Sequence, residues 1–379
     1  MSRPRLLYLV TEDWYFVTHR LPMARAARDA GYDVHVATRF GQFKDKITAE
    51  GFTPYPIDLH RGSINPFRLL AAIATVRQLY RTISPDLVHH IAIQPSVIGS
   101  IAAMGMNLPR LNSIFGFGSV FTSNVPKSRI ARLLLRPLLP LLFNAKQTKT
   151  MVVNPDHRDI LISLGVASDR IVVIPGSGAD VTHFSPLPEP STPVTAGYAG
   201  RMLEDKGVRE LVEAHQLLEK AGTPLTLLLA GTPDPANPNS IPQAELESWA
   251  RRPGITWLGH VADVRELWGK AHIAVLASHG EGLPMGLVEA AACGRPLVAT
   301  DVPGCREIAR DKVDGLLVPV SNSPALAAAL GRLMADTELR RQFGAAGRRI
   351  VEQEFSSEEV ARRIVAVYNA LSDASFRSP

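Results

Sequence analysis

The sequence has few of the features that mark several large protein classes. Its two cysteines, Cys293 and Cys305, are too few for a disulfide framework or a metal cluster and are expected to be reduced packing thiols. It has no run of eighteen or more uncharged apolar residues, so no transmembrane helix is expected. No Gly-x-Gly-x-x-Gly follows a predicted strand, and no basic stretch is interleaved with aromatic residues. A dinucleotide oxidoreductase and a nucleic-acid partner are therefore not expected.

Length and composition fit a folded protein of two domains. The chain has 379 residues, of which 46% are hydrophobic and 20% charged. A charged start and a short apolar run are followed at once by Glu12 and Asp13, without a small-residue cleavage site. This pattern indicates the first β-strand of a cytoplasmic protein and not a signal peptide.

Charge is distributed unevenly along the chain. Residues 1–185 hold 21 Lys and Arg against 12 Asp and Glu, whereas the remainder holds 20 against 24. The basic first half predicts an anionic partner there: a phosphate, an acidic lipid or a nucleic acid, of which the nucleic acid has no binding motif in its favour.

Strand-like and helix-like patterns alternate in two series. The first series has strand-like runs at 6–10, 34–38, 87–93 and 110–115 and helical patterns at 21–31 and 66–83. The second has strand-like runs at 195–201, 225–231, 255–261, 273–278 and 296–301 and helical patterns at 206–221, 263–271, 285–294 and 323–335. This order predicts an α/β protein with two doubly wound, Rossmann-like domains of parallel strands.

The Pro- and Ser-rich stretch 183–194 is predicted to be a linker between the domains. It sets the expected domains at 1–185 and 186–355. An amphipathic pattern predicts a C-terminal helix within 356–379 that packs back on the first domain. Ligands of such sheets bind at the carboxyl ends of strands, so the site is expected where the two domains face a cleft.

Two glutamates, Glu281 and Glu289, carry the clearest chemical signal. Glu281 lies in a Gly-rich loop after a predicted strand, and Glu289 lies in the next helix among apolar neighbours. A charge in such surroundings is costly to bury without partners, which favours a functional role over a solvated helix surface. Glu281 can accept hydrogen bonds from sugar hydroxyls, and Glu289 from two vicinal hydroxyls of a ribose. Free N–H groups of the loop and the helix start favour a phosphate.

The stretch 197–207 adds two cations. A predicted strand ends at Gly200 and Arg201, and Lys206 precedes the next helix. The two cations can converge on one anion, which indicates a diphosphate site. The alternative is that the two acids directly before Lys206 neutralise them.

These segments resemble the retaining glycosyltransferases of the large glycogen-synthase-like family 4, which have the GT-B fold. The resemblance covers about residues 195–310 and rests on the Glu-x7-Glu pair and on the stretches 200–207, 257–268 and 293–307. It implies that Arg201 and Lys206 hold a nucleotide diphosphate, that Glu289 binds the ribose and that Glu281 faces the donor sugar. The other implied substrate contacts are Gly200, the phosphate-binding backbone of Gly286, Leu287 and Val288, and the base-binding region of Gly259, His260 and Val261.

The first half resembles a branch of this family that acts on polyprenyl-diphosphate-linked saccharides in bacterial glycan assembly, on residues 14–26, 94–103 and 113–122. Many family members carry a histidine near the donor sugar where this chain has Gly116 and Phe117. The backbone amides of that loop and the side chain of His19 are the candidates for its role. A packing or surface role is the alternative for His19.

The implied chemistry needs no metal. A retaining transfer depends above all on stabilising the departing diphosphate, which Arg201, Lys206 and the helix start would do. The chain contains no Asp-x-Asp, in keeping with a UDP-sugar as co-substrate and no metal or other cofactor.

The segment 125–149 combines cations with leucines. It contains six Lys and Arg residues and no acid, around an apolar stretch that Arg136, Pro137 and Pro140 interrupt. We expect it to lie on an anionic membrane, and the alternative is a basic helix that covers the N-terminal sheet. The expected location is the cytoplasm, at the inner face of the cytoplasmic membrane.

The predicted function is transfer of a sugar, with N-acetylhexosamine as a candidate, from a UDP-sugar to a lipid-linked saccharide. Two alternatives stay open: a UDP-sugar 2-epimerase on the same fold, and an inactive nucleotide-sugar-binding module. The epimerase would need several carboxylates and histidines around the sugar, and the pair of Glu281 and Glu289 argues against it. The inactive module is disfavoured by four intact residues: Arg201, Lys206, Glu281 and Glu289.

Overall fold

The chain folds into two units. The structure, a computed structural model, describes residues 3–60, 65–116, 136–191, 193–235 and 237–376, with side chains up to residue 373. Unit 1 contains the chain up to Ser177 and again from Ser357 onward, and unit 2 is Gly178–Ser356. Both cysteines are free and buried, as predicted. Among the described helices, none combines the length and the apolar character that crossing a membrane requires.

Unit 1 is built on a parallel sheet of seven strands in the order β3-β2-β1-β4-β5-β6-β7. The strands are β1 (Arg5–Glu12), β2 (Asp33–Arg39), β3 (Thr53–Pro56), β4 (Leu87–Ile91), β5 (Arg110–Ile114), β6 (Thr148–Val152) and β7 (Ile171–Val173). The helices are α1 (Asp13–His19), α2 (Leu21–Asp29), α3 (Lys44–Ala49), α4 (Pro66–Ile83), α5 (Ile93–Ala102), α6 (Pro155–Ser163) and α14 (Ser357–Phe376), and residues 136–143 are also helical. The chain runs from β1 towards one edge and from β4 towards the other, which makes β1 and β4 the topological switch point.

A buried chain of hydrogen bonds joins α14 to the sheet of unit 1. The Tyr368 hydroxyl lies 2.8 Å from the Tyr8 hydroxyl and 2.6 Å from His89 Nδ1, and His89 Nε2 lies 2.6 Å from Ser113 Oγ. Burial holds the pKa of His89 well below its usual value, so this imidazole is neutral. The network ties α14 to β1, β4 and β5, because buried polar groups need these partners.

Unit 2 repeats the plan with six strands in the order β10-β9-β8-β11-β12-β13. The strands are β8 (Thr195–Ala199), β9 (Thr226–Ala230), β10 (Ile255–Gly259), β11 (Ile273–Leu276), β12 (Leu297–Thr300) and β13 (Gly315–Val318). The helices are α7 (Val208–Lys220), α8 (Gln243–Ala250), α9 (Arg265–Trp268), α10 (Met285–Ala292), α11 (Pro303–Ile308), α12 (Ser323–Ala335) and α13 (Thr337–Ile350), with a 3-10 turn at Glu204–Lys206. Two doubly wound α/β units confirm the predicted fold class.

The stretch predicted as a linker is bound to unit 2. The Leu187 N–H donates to the Cys293 carbonyl oxygen at 3.1 Å, and Arg295 donates to the carbonyl oxygens of Leu187 and Pro188. Glu189 forms an ion pair with Arg340. These contacts place the border between the units at Ser177 and Gly178, earlier than the predicted residue 185.

The described part of the basic segment, residues 136–149, turns much of its apolar surface inward. Leu139, Leu142 and Phe143 are buried in a core cluster with Ile114, and Leu141 is 64% exposed. The expectation that the apolar side chains of this segment face a membrane is wrong for Leu139, Leu142 and Phe143, because the sheet of unit 1 covers them. Residues 125–135 lie outside the described part of the chain.

Candidate active site

The site residues predicted in the second half of the chain lie at the ends of strands in unit 2, most of them around its switch point. Strands β8 and β11 are neighbours, and the chain leaves them towards opposite edges of the sheet. Arg201 and Lys206 follow β8, and Glu281 follows β11. Such a point forms a crevice outside the carboxyl ends of the strands, where ligands of α/β sheets bind.

Lys206 and Glu281 form a largely buried ion pair. Lys206 Nζ donates to Glu281 Oε1 at 2.6 Å, and their side chains are 18% and 10% exposed. The carbonyl oxygen of Asp205 accepts from Ser278 Oγ at 3.0 Å and from the His279 N–H at 2.8 Å. These bonds tie the loop after β11 to the turn that carries Lys206. The cation and the carboxylate are therefore held in place before any ligand binds, as electrostatic catalysis requires.

Gly207 brings the Lys206 turn against the end of β11. Its φ is +67°, and a Cβ there would lie 1.9 Å from the Ala277 carbonyl oxygen. Gly207→Ala should therefore lose more than about 3 kcal/mol of unfolding free energy, because backbone must move. Gly222→Ala is the matched control, since its φ is +74° and its Cβ would meet no atom within 4 Å in the described structure.

The control should lose only about 1 kcal/mol, from left-handed backbone strain alone. Urea unfolding of both variants measures the difference. Equal losses in Gly207→Ala and Gly222→Ala would contradict the close approach of the turn to β11.

Arg201 is the exposed cation of the site. Its Nη1 donates to Asp234 Oδ2 at 3.0 Å, and its side chain is 53% exposed. Glu204, one of the two acids considered as a neutralising partner, pairs with Arg209 instead. Lys206 likewise pairs with Glu281 and not with the acids before it. The alternative that Glu204 and Asp205 neutralise both cations is therefore wrong. The ion pair of Arg201 with Asp234 is exposed, and such a pair is weak enough for Arg201 to bind a ligand instead.

Glu289 lies on α10 with a mostly buried side chain. Burial raises its pKa to about 7, and the charge of Asp263 adds to this effect. Its carboxylate has no ion pair or side-chain hydrogen bond among the described residues. A buried carboxylate without a partner is costly, which confirms the environment predicted from its apolar neighbours. Hydroxyl donors from a ligand would supply the missing hydrogen bonds.

The first turn of α10 packs against the end of β8. A Cβ at Gly286 would lie 2.8 Å from the Ala199 carbonyl oxygen, so the absence of a side chain permits this approach. The N–H groups of Leu287 and Val288 donate to the Pro284 carbonyl oxygen at 3.0 and 3.2 Å, and both side chains are buried. Gly286 precedes them, where helix N–H groups have no intrahelical acceptor. Among the three predicted phosphate contacts, the N–H of Gly286 is therefore the one best placed to bind a ligand, because the other two donate to Pro284.

Three glycines align the ends of β8, β9 and β10. A Cβ at Gly231 would lie 1.8 Å from the Gly200 carbonyl oxygen, and the Gly231 N–H donates to the Gly259 carbonyl oxygen at 2.7 Å. His260 is exposed, and Val261 packs partly against the core. The strand ends predicted to bind the base therefore offer mainly backbone groups. Binding of the base there stays a prediction.

Two sequence profiles match most of both units. One describes group 1 glycosyl transferases and matches residues 193–336, and the other describes a glycosyl transferase 4-like family and matches residues 5–153. The chain belongs to the family 4 glycosyltransferases. The matched ranges contain every strand of the two doubly wound sheets except β7, in agreement with the GT-B fold.

Similar proteins agree with this assignment. The glycosyltransferase is 26% identical to the N,N'-diacetylbacillosaminyl-diphospho-undecaprenol alpha-1,3-N-acetylgalactosaminyltransferase of Campylobacter jejuni, over 85% of this chain and 87% of that protein. A glycosyltransferase structure from Rickettsia africae matches with a TM-score of 0.79 at 20% identity, over 98% and 99% of the two chains. HepE of Anabaena in complex with UDP and glucose matches with a TM-score of 0.74 at 17% identity, over 96% and 99%. The two structural matches support the fold.

In unit 1 of the glycosyltransferase, His19 ends α1 at the switch point of the sheet. Its ring lies 4.7 Å from that of Tyr15, and burial together with the charge of Arg20 lowers its pKa to about 4. His19 is therefore neutral at physiological pH and can accept or donate a hydrogen bond. Gly116 follows β5 and is exposed. Phe117 lies outside the described residues.

The structure adds acids that the sequence reasoning missed. Asp234 binds Arg201 from a loop that the sequence marks only as polar, and Asp263 adds negative charge near Glu289. Asp205, one of the two acids that the sequence analysis did consider, has a buried carboxylate oxygen without a partner in the described structure. Asp234 could have been identified from the sequence, because it follows a predicted strand next to the one that leads to Arg201. The proximity of Asp263 to Glu289 depends on tertiary folding.

Proposed function

We propose that this glycosyltransferase moves a sugar from a UDP-sugar to a polyprenyl-diphosphate-linked saccharide, with retention at the anomeric carbon. The observation that carries the proposal is the site of unit 2, where Lys206 and Glu281 are paired and the mostly buried Glu289 has no ion pair or side-chain hydrogen bond among the described residues. The donor sugar would be an N-acetylhexosamine, as in the activity named for the Campylobacter jejuni relative. That name also supports a role in bacterial surface glycan assembly.

The donor half of the proposal follows from the chemistry of each group. The ribose would donate its two hydroxyls to Glu289, and the diphosphate would lie against Lys206, Arg201 and the N–H of Gly286. Binding a diphosphate would add anionic oxygens to the exposed Arg201 guanidinium, whose planar fork of donors can bind two oxygens of one phosphate. The bound UDP of the similar Anabaena structure supports a uridine nucleotide in this proposal.

The proposed step is departure of the nucleotide diphosphate from the anomeric carbon. Negative charge grows on its oxygens, and the preorganised Lys206 and helix start stabilise that charge without a metal. The departing phosphate takes the proton of the acceptor hydroxyl as the new glycosidic bond forms. Glu281 would then orient the donor sugar through its hydroxyls while remaining paired with Lys206.

The acceptor half rests on unit 1 and its basic character. We propose that the lipid-linked acceptor is taken up at an anionic membrane surface through the segment 125–149. The exposed side chains of Arg136, Leu141 and Lys146 in its described part support this contact. Charge attraction and a few inserted apolar side chains are sufficient for reversible membrane binding.

One assay tests the proposal as a whole. The purified chain is given UDP-N-acetylhexosamines and a polyprenyl-diphosphate-linked saccharide, in anionic or in neutral vesicles, with and without EDTA. We expect UDP release with a glycosylated product whose new linkage has the anomeric configuration of the donor, unchanged by EDTA and faster in anionic vesicles. The product is identified by mass spectrometry and its linkage by nuclear magnetic resonance.

Each competing function gives a different outcome in that assay. Conversion of the UDP-sugar to its 2-epimer without acceptor would identify an epimerase. Binding of UDP in calorimetry without turnover of any UDP-sugar would indicate an inactive nucleotide-sugar-binding module. An inverted linkage or a loss of activity with EDTA would overturn the proposed mechanism while leaving the transferase assignment intact.

A further inference from the structure

Arg20 is a buried cation that no part of the predicted site uses. Its side chain is 2% exposed, and its Nη1 donates to the Gly176 carbonyl oxygen at 3.3 Å and to Met23 Sδ at 3.5 Å. Its Nη2 donates to the Tyr15 hydroxyl at 3.2 Å, and its Nε has no hydrogen-bond partner among the described residues. No carboxylate of the described structure forms an ion pair with it.

A buried guanidinium without a counter-ion lowers the free energy of unfolding. A charge that leaves water without a counter-ion keeps much of its desolvation penalty. The Phe115 ring offsets part of it, because Arg20 Cζ lies 3.6 Å from the ring centroid, a cation–π distance. Departures from good packing and pairing of this kind are typical of functional sites.

The surroundings of Arg20 lie at the carboxyl edge of the unit 1 sheet. Tyr15 is on α1, directly after β1, and Phe115 directly follows β5. Tyr15 is partly buried, and its ring lies 4.7 Å from that of His19. Because the Tyr15 hydroxyl accepts from Arg20, its own proton is free to point to another acceptor. A hydroxyl that accepts from a cation is also a stronger donor, since hydrogen bonds in a chain polarise one another.

We propose that Tyr15 and Arg20 form a phosphate-binding pair, in which the Tyr15 hydroxyl donates to a substrate phosphate oxygen and the buried Arg20 supplies the opposite charge behind it. Arg20 is then a positioning residue that acts through Tyr15, and the missing counter-ion is the substrate itself. The inference rests on the proposed function for the source of the phosphate, which is the diphosphate of the acceptor or that of the donor.

Three variants test the pair: Arg20→Met, Arg20→Lys and Tyr15→Phe. Arg20→Met keeps the volume and removes the charge, so the melting temperature should stay the same or rise while the KM for the phosphate-bearing substrate increases about tenfold to a hundredfold. Tyr15→Phe should raise the same KM with kcat changed less. Arg20→Lys keeps the charge and should restore part of the loss. The double variant should be no worse than Arg20→Met, because the two groups act as one unit.

The source of the phosphate is identified by the substrate, acceptor or UDP-sugar, whose KM changes in the variants. The acceptor is supplied both as polyprenyl-diphosphate saccharide and as the same saccharide on an uncharged lipid, and UDP-sugar is varied separately. A defect that disappears with the uncharged acceptor assigns the acceptor diphosphate, and a defect in the KM for UDP-sugar assigns the donor diphosphate. Unchanged KM values for both substrates in Tyr15→Phe would overturn the pair, as would a fall in melting temperature that alone accounts for lost activity.

The pair can also be tested if the proposed function fails. Calorimetry with inorganic pyrophosphate on the full chain should give weaker binding in Arg20→Met and in Tyr15→Phe than in the unmodified protein. A wild-type chain that transfers no sugar but shows this difference would reject the function and keep the phosphate site. Equal pyrophosphate binding by all three proteins would reject the site.

Discussion

Replacing Glu289 by glutamine should weaken UDP binding about tenfold to a hundredfold, the loss expected for hydrogen bonds to a charged acceptor. Glutamine keeps the size of the side chain and removes the charge that accepts two vicinal hydroxyls. Calorimetry with UDP measures the change. Glu266→Gln is the matched control, because Glu266 is an exposed glutamate of the same unit that we place outside the site. Equal affinity of Glu289→Gln and wild type would remove the ribose role.

The pH dependence of the same variant gives a second, independent signature. Burial raises the pKa of Glu289 from its usual 4.5 to about 7, so the free protein carries the carboxylate only above that pH. Affinity for uridine, which lacks a titrating phosphate, should therefore rise between pH 6 and 8 in the wild type and stay flat in Glu289→Gln.

The free energy of unfolding of the wild type should fall with pH, whereas its affinity for uridine rises. A carboxyl whose pKa is raised on folding holds a proton more tightly in the folded state, so its contribution to unfolding free energy falls as pH rises from about 4.5 to about 7. Glu289→Gln should therefore become more stable than the wild type above pH 7, by roughly 1–3 kcal/mol. Thermal unfolding from pH 5 to pH 8 measures this crossing. A variant that is less stable than wild type at every pH would indicate that Glu289 supports the fold.

Replacing Lys206 by alanine should lower kcat by about a hundredfold to a thousandfold, with a smaller change in the KM for the donor. The charge of the departing diphosphate grows in the transition state, so a cation fixed beside it acts more strongly there than in the ground state. Steady-state kinetics with the UDP-sugar measures the two constants. Lys220→Ala, which removes an exposed lysine at the end of α7, is the control and should behave like the wild type. A raised KM with unchanged kcat would contradict the proposed role.

The ion pair allows a sharper version of this experiment. Lys206→Ala leaves the carboxylate of Glu281, which is 10% exposed, without its cation, and should also destabilise the chain. Adding Glu281→Gln removes that unpaired charge and should restore part of the stability without restoring turnover. Restored turnover in the double variant would mean that Lys206 acts only as the partner of Glu281.

The sequence predicts the two doubly wound sheets because strand and helix patterns alternate along the chain. Right-handed crossovers between parallel strands then determine the topology. It places the border between the units wrongly at residue 185. The Pro- and Ser-rich stretch has the composition of a linker, but its contacts with Cys293, Arg295 and Arg340 come from residues distant in the chain. The inward turn of Leu139 and Phe143 is likewise set by the sheet beneath them, and a leucine-rich basic pattern serves a membrane or a core equally well.

The candidate site divides in the same way. The partial burial of Glu289 follows from its apolar neighbours on one helix, and the structure confirms it. The pairing of Lys206 with Glu281 joins residues 75 positions apart and needs β8 and β11 to be neighbours. Arg20 gives no local signal at all, because its lack of a counter-ion among the described residues is a property of the folded unit.

The central claim is that unit 2 binds the nucleotide diphosphate of the donor at Lys206, Gly286 and Glu289. A crystal structure of the chain with UDP tests it most directly. We expect the two ribose hydroxyls within hydrogen-bond distance of the Glu289 carboxylate, and the diphosphate on Lys206, Arg201 and the first N–H groups of α10. UDP bound with its ribose away from Glu289 and its phosphates away from Lys206 would contradict it.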